Sequence, residues 1–123
     1  MTPTSILNRP RRASVRYFLT GLESTLAAEL DSALRSQGCR AADRLRSADI
    51  VFCPAAGPSL ETAIIRSAGR PVIAVSRYPE THQWLVALEA GAADYSVAPF
   101  EDVQIRWLLD RHACAQRAAS AVA

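Results

Sequence analysis

Residues 70–100 read RPVIAVSRYPETHQWLVALEAGAADYSVAPF, and this stretch decides the fold. Behind Pro71, the residues Val72, Ile73 and Val75 make a short β-branched apolar run that ends at Ser76. That composition predicts a strand buried on both faces of a sheet. Arg77, Tyr78 and Pro79 interrupt it. Between Glu80 and Ala90, Trp84, Ala87 and Leu88 recur at helical spacing with Val86 off their stripe, and Gly91 stands where a helix C-cap belongs. Tyr95, Ser96 and Val97 read as a second short strand, closed by Ala98-Pro99-Phe100. Strand, helix and strand of these lengths predict a right-handed crossover in a parallel sheet.

The rest of the chain continues this alternation. Residues 15–19 (VRYFL) read as a first strand leaving at Thr20-Gly21. Leu22, Leu26, Leu30, Ala33 and Leu34 then mark an amphipathic helix that stops at Gly38. A weak second strand is expected at 39–42 and a clear third one at 49–53 (DIVFC). Only eleven residues, 39–49, lie between the first helix and this third strand. A second helix is therefore missing or cut to about one turn, ~3.6 residues. Pro58 is placed to begin the next helix, with Leu60, Ala63, Ile64 and Ser67 on one face before Gly69. A last helix is expected over 101–118, with its acidic residues at the favoured end. The predicted organisation is a flexible tail at 1–13, one domain at 14–118 and a frayed end at 119–123.

Residues 70–100 resemble the C-terminal half of the receiver domain of bacterial two-component response regulators, with a weaker collinear match over about 15–113. In that family the fourth strand ends in Ser or Thr, a helix ends in an E-A-G-A-like run, an aromatic residue opens the fifth strand, and Lys-Pro-Phe follows. The matching residues here are Ser76, Glu89-Ala90-Gly91-Ala92, Tyr95 and Ala98-Pro99-Phe100. The resemblance implies a CheY-like, flavodoxin-like α/β sandwich with strand order 2-1-3-4-5 and a depleted second helix. It also implies a cis Ala98–Pro99 peptide, an isomer that only X-Pro bonds adopt at small cost. A phosphorylatable receiver places an acidic pair after strand one, an acceptor Asp after strand three, and a Lys after strand five. These three features fall here on Thr20 and Gly21, on Pro54 (or Cys53 after a one-residue slip), and on Ala98. Of the set, Ser76 alone is retained, and the chain contains no lysine to substitute. The expectation is a pseudo-receiver that needs neither phosphorylation nor Mg²⁺. Glu23 lies near strand one, but one carboxylate without an acceptor Asp does not make a tight Mg²⁺ site. Asp49 begins strand three at the opposite end of the sheet, ~13 Å away.

Composition narrows the remaining classes. At 123 residues with 50% apolar and 21% charged side chains, the chain forms one ordinary domain core. A net charge of +2 does not argue for nucleic acid, and Arg9, Arg11 and Arg12 in the tail are a thin basis for phosphate contacts. Cys39, Cys53 and Cys114 show no metal-ligand spacing and read as buried reduced thiols. No apolar run has the length of a membrane span and no signal-peptide pattern opens the chain, so a cytoplasmic protein is expected. No cofactor and no enzyme activity are expected. His82 and His112 near helix ends have no motif linking them to Ser76, and a surface position is the simpler reading of both.

The functional expectation is therefore a surface. In receivers the fourth helix, fifth strand and fifth helix form the face used for dimers and effectors. Tyr95 matches the switch aromatic on it. Ile105, Leu108, Leu109 and His112 predict the inward stripe of the last helix, leaving Val103 and Trp107 on a second stripe. Val86, Tyr95, Val103 and Trp107 are the expected interface for a protein partner or a homodimer. The competing reading is that Trp84 and Trp107 pack helix against helix. Two other functions are open: a small-ligand or anion sensor using the vacated pocket around Thr20, Pro54 and Ser76, and an adaptor touching nucleic acid through the arginine tail.

Overall fold

The computed structural model describes residues 15–113. The expected tail, the frayed end, the final turns of the last helix and Cys114 lie outside the described residues. In chain order the elements are β1 (Arg16–Leu19), α1 (Ser24–Ser36), β2 (Arg40–Ala41), β3 (Ile50–Pro54), α2 (Ser59–Ser67), β4 (Val72–Ser76), α3 (Thr81–Ala90), β5 (Asp94–Val97) and α4 (Asp102–Leu108). A π-helical segment, Leu109–Ala113, continues α4. All strand pairs are parallel, and the sheet order is β2-β1-β3-β4-β5. This is the flavodoxin-like order, with its crevice at the carboxyl ends of the strands.

Alternation along the strands sends side chains to two different layers. On one face Tyr17, Phe52, Ile73 and Val75 meet Leu26, Leu30 and Leu34 of α1 and Ile105, Leu108 and Leu109 at the C-terminal end. On the other, Val51, Cys53, Val72 and Ala74 meet Leu60 and Ala63 of α2 and Ala87 of α3. The first layer is built from large side chains and the second largely from small ones.

The second layer explains a departure from the expected stripe of α3. Trp84 and Leu88 are 46% and 37% exposed, and Ala87 is the buried residue of the helix. At 100° per residue Trp84 and Leu88 lie about 60° and 100° round from Ala87. A helix resting on one alanine carries both at its margin, where the periodicity alone placed them inside. Gly91 ends α3 in the left-handed region at φ 115°, its N–H reaching the Ala87 and Leu88 carbonyls.

Between β2 and β3 the second helix is reduced to a single 3₁₀ turn, Leu45–Ser47. The side chain of Arg70 secures this shortened connection. Its Nε donates to the Ala48 carbonyl (2.9 Å), Nη1 to Ser67 O (3.0 Å) and Nη2 to Arg46 O (2.6 Å). Two carbonyls of the shortened connection, Arg46 O and Ala48 O, and the end of α2 at Ser67 are thereby joined by one guanidinium. Arg70→Met, which keeps the aliphatic stem, should lower unfolding stability by about 2–3 kcal/mol in urea titration. Arg70→Lys should recover less than half of that loss, because an ammonium cannot reproduce the fork.

Candidate functional site

The carboxyl ends of β1, β3, β4 and β5 converge where an open α/β sheet binds its ligands. Gly21, just after β1, adopts φ 74°, and a Cβ built there would lie 2.9 Å from Ser59 Oγ and 3.2 Å from Pro54 Cδ. The loop therefore packs directly on Pro54, the position that the receiver resemblance aligns with the acceptor. Cys53, the alternative position, is fully buried, and burial pushes its thiol up to about 11. Ala98 packs against the first core layer, its N–H donates to Ser76 O, and the Ala98–Pro99 peptide is cis.

The carboxylates nearest this end of the sheet are held by an arginine. Glu23 caps α1, accepting the N–H groups of Thr25 (3.1 Å) and Leu26 (3.4 Å). Arg77, the residue after β4, reaches Glu23 with Nη2 (3.2 Å) and Glu29 with Nη1 (3.1 Å). The Arg77 hydrogen bond, then those from Thr25, holds the Glu23 carboxyl below its ordinary range. Thr20, Gly21 and Pro54 offer no carboxylate, and among the described residues no three His, Cys, Asp or Glu side chains converge to hold a metal ion. The donor set does not fit the Mg²⁺ of a phosphorylatable receiver.

The expected ligand pocket around Thr20, Pro54 and Ser76 does not form as a unit. Thr20 lines a cleft that neither Pro54 nor Ser76 reaches. Pro54 lies beneath Gly21, and Ser76 Oγ is bonded to the backbone of Tyr78, donating to its carbonyl (3.0 Å) and accepting its N–H (3.1 Å). The N-terminus of α1 is already capped by Glu23. Periodicity and strand order located these residues at one end of the sheet but not their close packing.

The edge of the sheet at β5 carries a connected set of side chains. Tyr95 OH donates to the same Tyr78 carbonyl (3.2 Å) that Ser76 uses. Trp84, Asp94, Tyr95 and Val97 border one shallow groove between α3 and β5. Asp94 Oδ2 lies 3.0 Å from His112 Nε2, so His112 is a mostly buried partner of β5, as the inward stripe of the last helix predicted and against the surface reading of its helix-end position. The His112 ring meets Trp107 edge to face, 6.3 Å between centroids at 89°. Arg111 sits 5.2 Å from the Trp107 centroid on a cation–π contact. Trp107 is 52% exposed and Val103 71% exposed.

Val86 does not belong to this set. It lines a separate cleft with Gly57, Leu60 and Ala90, on the side of α3 that faces α2. Two residues along a helix are about 200° apart, so Val86 and Trp84 leave α3 on different sides. The sequence reading also missed the Arg77 fork and the Asp94–His112 pair. Arg77 immediately after one strand end and Glu23 just past another were the available signal for the first.

The burial of Cys53 has a measurable result. Peptide-mapped iodoacetamide labelling at pH 8 should leave Cys53 unmodified in the native protein and label it in denaturant, since the thiolate is the reacting form. The folded thiol titrates above the unfolded one, so its contribution to stability is present below about pH 9 and is lost as pH rises toward 11. Tyr17, raised by burial and then by its bond to Asp31, acts in the same direction. Cys53→Ala should flatten the alkaline loss of stability measured by urea titration between pH 8 and 11.

No sequence-family model matches the chain, and no curated protein does. Solved structures match it clearly. A candidate response regulator from Chloroflexus aurantiacus superposes with a TM-score of 0.65 at 20% identity, covering 82% of this chain and 98% of its own. The receiver domain of a sensor histidine kinase from Pseudomonas aeruginosa, whose active-site cleft coordinates a magnesium ion, gives 0.64 at 21% identity over 80% and 97%. The beryllofluoride-activated NtrC4 receiver dimer gives 0.61 at 14% identity over 82% and 98%. With its sheet order, cis Ala98–Pro99 and near-complete overlap with these chains, the protein has the fold of response-regulator receiver domains.

Proposed function

We propose that this domain is a non-enzymatic, cytoplasmic pseudo-receiver that signals by protein contact, independent of aspartyl phosphorylation. The observation that carries the reading is the line of side chains from Trp84 through Tyr95, Asp94 and His112 to Trp107 across the edge strand β5. Half-exposed tryptophans flanking a short edge strand are the amphipathic anchors that interfaces favour. Trp107 is supported by His112 and Arg111 of its own helical segment, which presents its ring without burying it. Val103, one turn earlier on α4, extends the apolar area. The NtrC4 receiver with which the chain superposes is a dimer, and a homodimer or a partner protein is the occupant proposed for this face. Val86 is left out of the interface, because it opens toward α2.

The loss of the phosphorylation groups supports the same reading. Pro54 stands at the acceptor position, Thr20 and Gly21 at the acidic pair, and Ala98 at the lysine. Ser76 and Tyr95 both hydrogen-bond Tyr78 O, so the loop after β4 is fixed by the two residues that a switch would move. Incubation with acetyl phosphate and Mg²⁺ should leave the intact mass unchanged. A gain of one phosphoryl group at an aspartate would overturn the phosphorylation-independent reading.

The interface is tested by sedimentation equilibrium of the wild type and Trp107→Glu, together with affinity capture by both as baits from native-source lysate. A self-associated or partner-bound wild type with a Trp107→Glu form that loses the contact at least about tenfold supports the face; a hot-spot tryptophan has that weight. Retention of the same partner by both baits, or a wild type that stays monomeric and captures nothing, would rule it out.

A further inference from the structure

The truncated connection leaves a cleft at the other end of the sheet from β5. It has a volume of about 830 Å³ and lies between the 3₁₀ turn and α2, with Phe18 and Thr20 of the β1 strand and its exit at its base. A second helix would have covered this surface. Phe18 is half-buried against the small-residue core layer and contributes an aromatic ring to the cleft. Three arginines border the opening, Arg44 and Arg46 from the turn and Arg66 from α2. All three are exposed, and among the described residues none of them forms a salt bridge. The single acidic group on the lining is Asp43. Like charges are thus gathered around one concavity without the carboxylates that pair Arg35 and Arg77 elsewhere on the molecule.

We propose that this cleft binds a nucleoside di- or triphosphate. Its volume is within the range of small-molecule sites, about 300–1,000 Å³. Guanidiniums recognise phosphate oxygens by paired, charge-assisted hydrogen bonds, and three of them around one opening suit a polyphosphate. The Phe18 ring supplies an apolar face for a planar base. Thr20 and Thr62, both on the lining, supply hydroxyls for a sugar or phosphate oxygen. The site is separate from the β5 face and borders the strand-end position at Thr20, so it stands or falls independently of the interaction reading.

The test is two-dimensional ¹H–¹⁵N NMR titration of the full chain with ADP, GDP, pyrophosphate and adenosine, each run at low and high salt. The expected result is a nucleotide-dependent shift of the amides of Phe18, Thr20, Arg44, Arg46 and Arg66, weakened by salt. Pyrophosphate should bind more weakly at the same amides, and adenosine should show no comparable binding. Arg44→Ser with Arg66→Ser should weaken the nucleotide by at least about tenfold, the effect of losing charged hydrogen bonds. Arg111→Ser, distant on the β5 side, should leave it unchanged. Phe18→Leu should abolish the advantage of the nucleotides over pyrophosphate, with the amide spectrum reporting that the fold persists. No saturable shift from either nucleotide at millimolar concentration would overturn the proposal. So would shifts confined to residues outside the cleft, or pyrophosphate binding as tightly as ADP and GDP.

Discussion

A single guanidinium occupies the structural role of a helix in this domain. The chain must return from β2 across β1 to β3, and only one 3₁₀ turn is available for the crossing. Such a short path leaves backbone carbonyls without intrahelical donors, and an unpaired buried carbonyl is costly. Arg70, at the α2–β4 corner, donates to Arg46, Ala48 and Ser67 at once. That fork ties the edge of the sheet to α2 and fixes the walls of the cleft above Phe18. The Asp49 carboxylate adds a second tie, accepting the Arg16 N–H at the start of β1.

The missing helix is matched by an uneven core. On the α1 and α4 side, Tyr17, Phe52, Ile73 and several leucines fill the space with large side chains. On the α2 and α3 side the layer is made mostly of alanine with a few larger residues, so less apolar surface is buried there. Helix α3 accordingly rests on Ala87 and leaves Trp84, Leu85 and Leu88 at least partly in water. The thin layer and the exposed aromatic edge have one cause. A helix seated on a small residue approaches the sheet closely, but its larger neighbours overhang the margin and do not enter the core.

Much of this was legible in the sequence because it depends on local pattern and on length. The apolar runs at 49–53 and 72–76 became strands with four buried residues each, and eleven residues at 39–49 left no room for a helix. The inward stripe of α4 followed from its period, as Ile105, Leu108 and Leu109 show. What the sequence did not disclose was which side of a helix meets which neighbour. Val86 and Trp84 are both apolar and exposed, yet they open toward different grooves because β5 lies on one flank of α3 and α2 on the other. The pairs Asp94–His112 and Glu23–Arg77 span 18 and 54 residues, and no local pattern encodes a contact at that separation.

Arg77 also changes the electrostatic character of the strand ends. In a phosphorylatable receiver, carboxylates there are compensated by a metal ion that can come and go. Here Glu23 and Glu29 are compensated by a cation fixed to the chain, one residue beyond Ser76. The Glu23 carboxylate is further engaged by the α1 N-terminus, so its negative charge is already satisfied from two directions. Among the described arginines without an ion pair, Arg44, Arg46 and Arg66 are gathered around the cleft beside the shortened connection. Shortening one crossover and placing one arginine after β4 thus engages the carboxylates at the strand ends and gathers exposed arginines at the β2 end of the sheet.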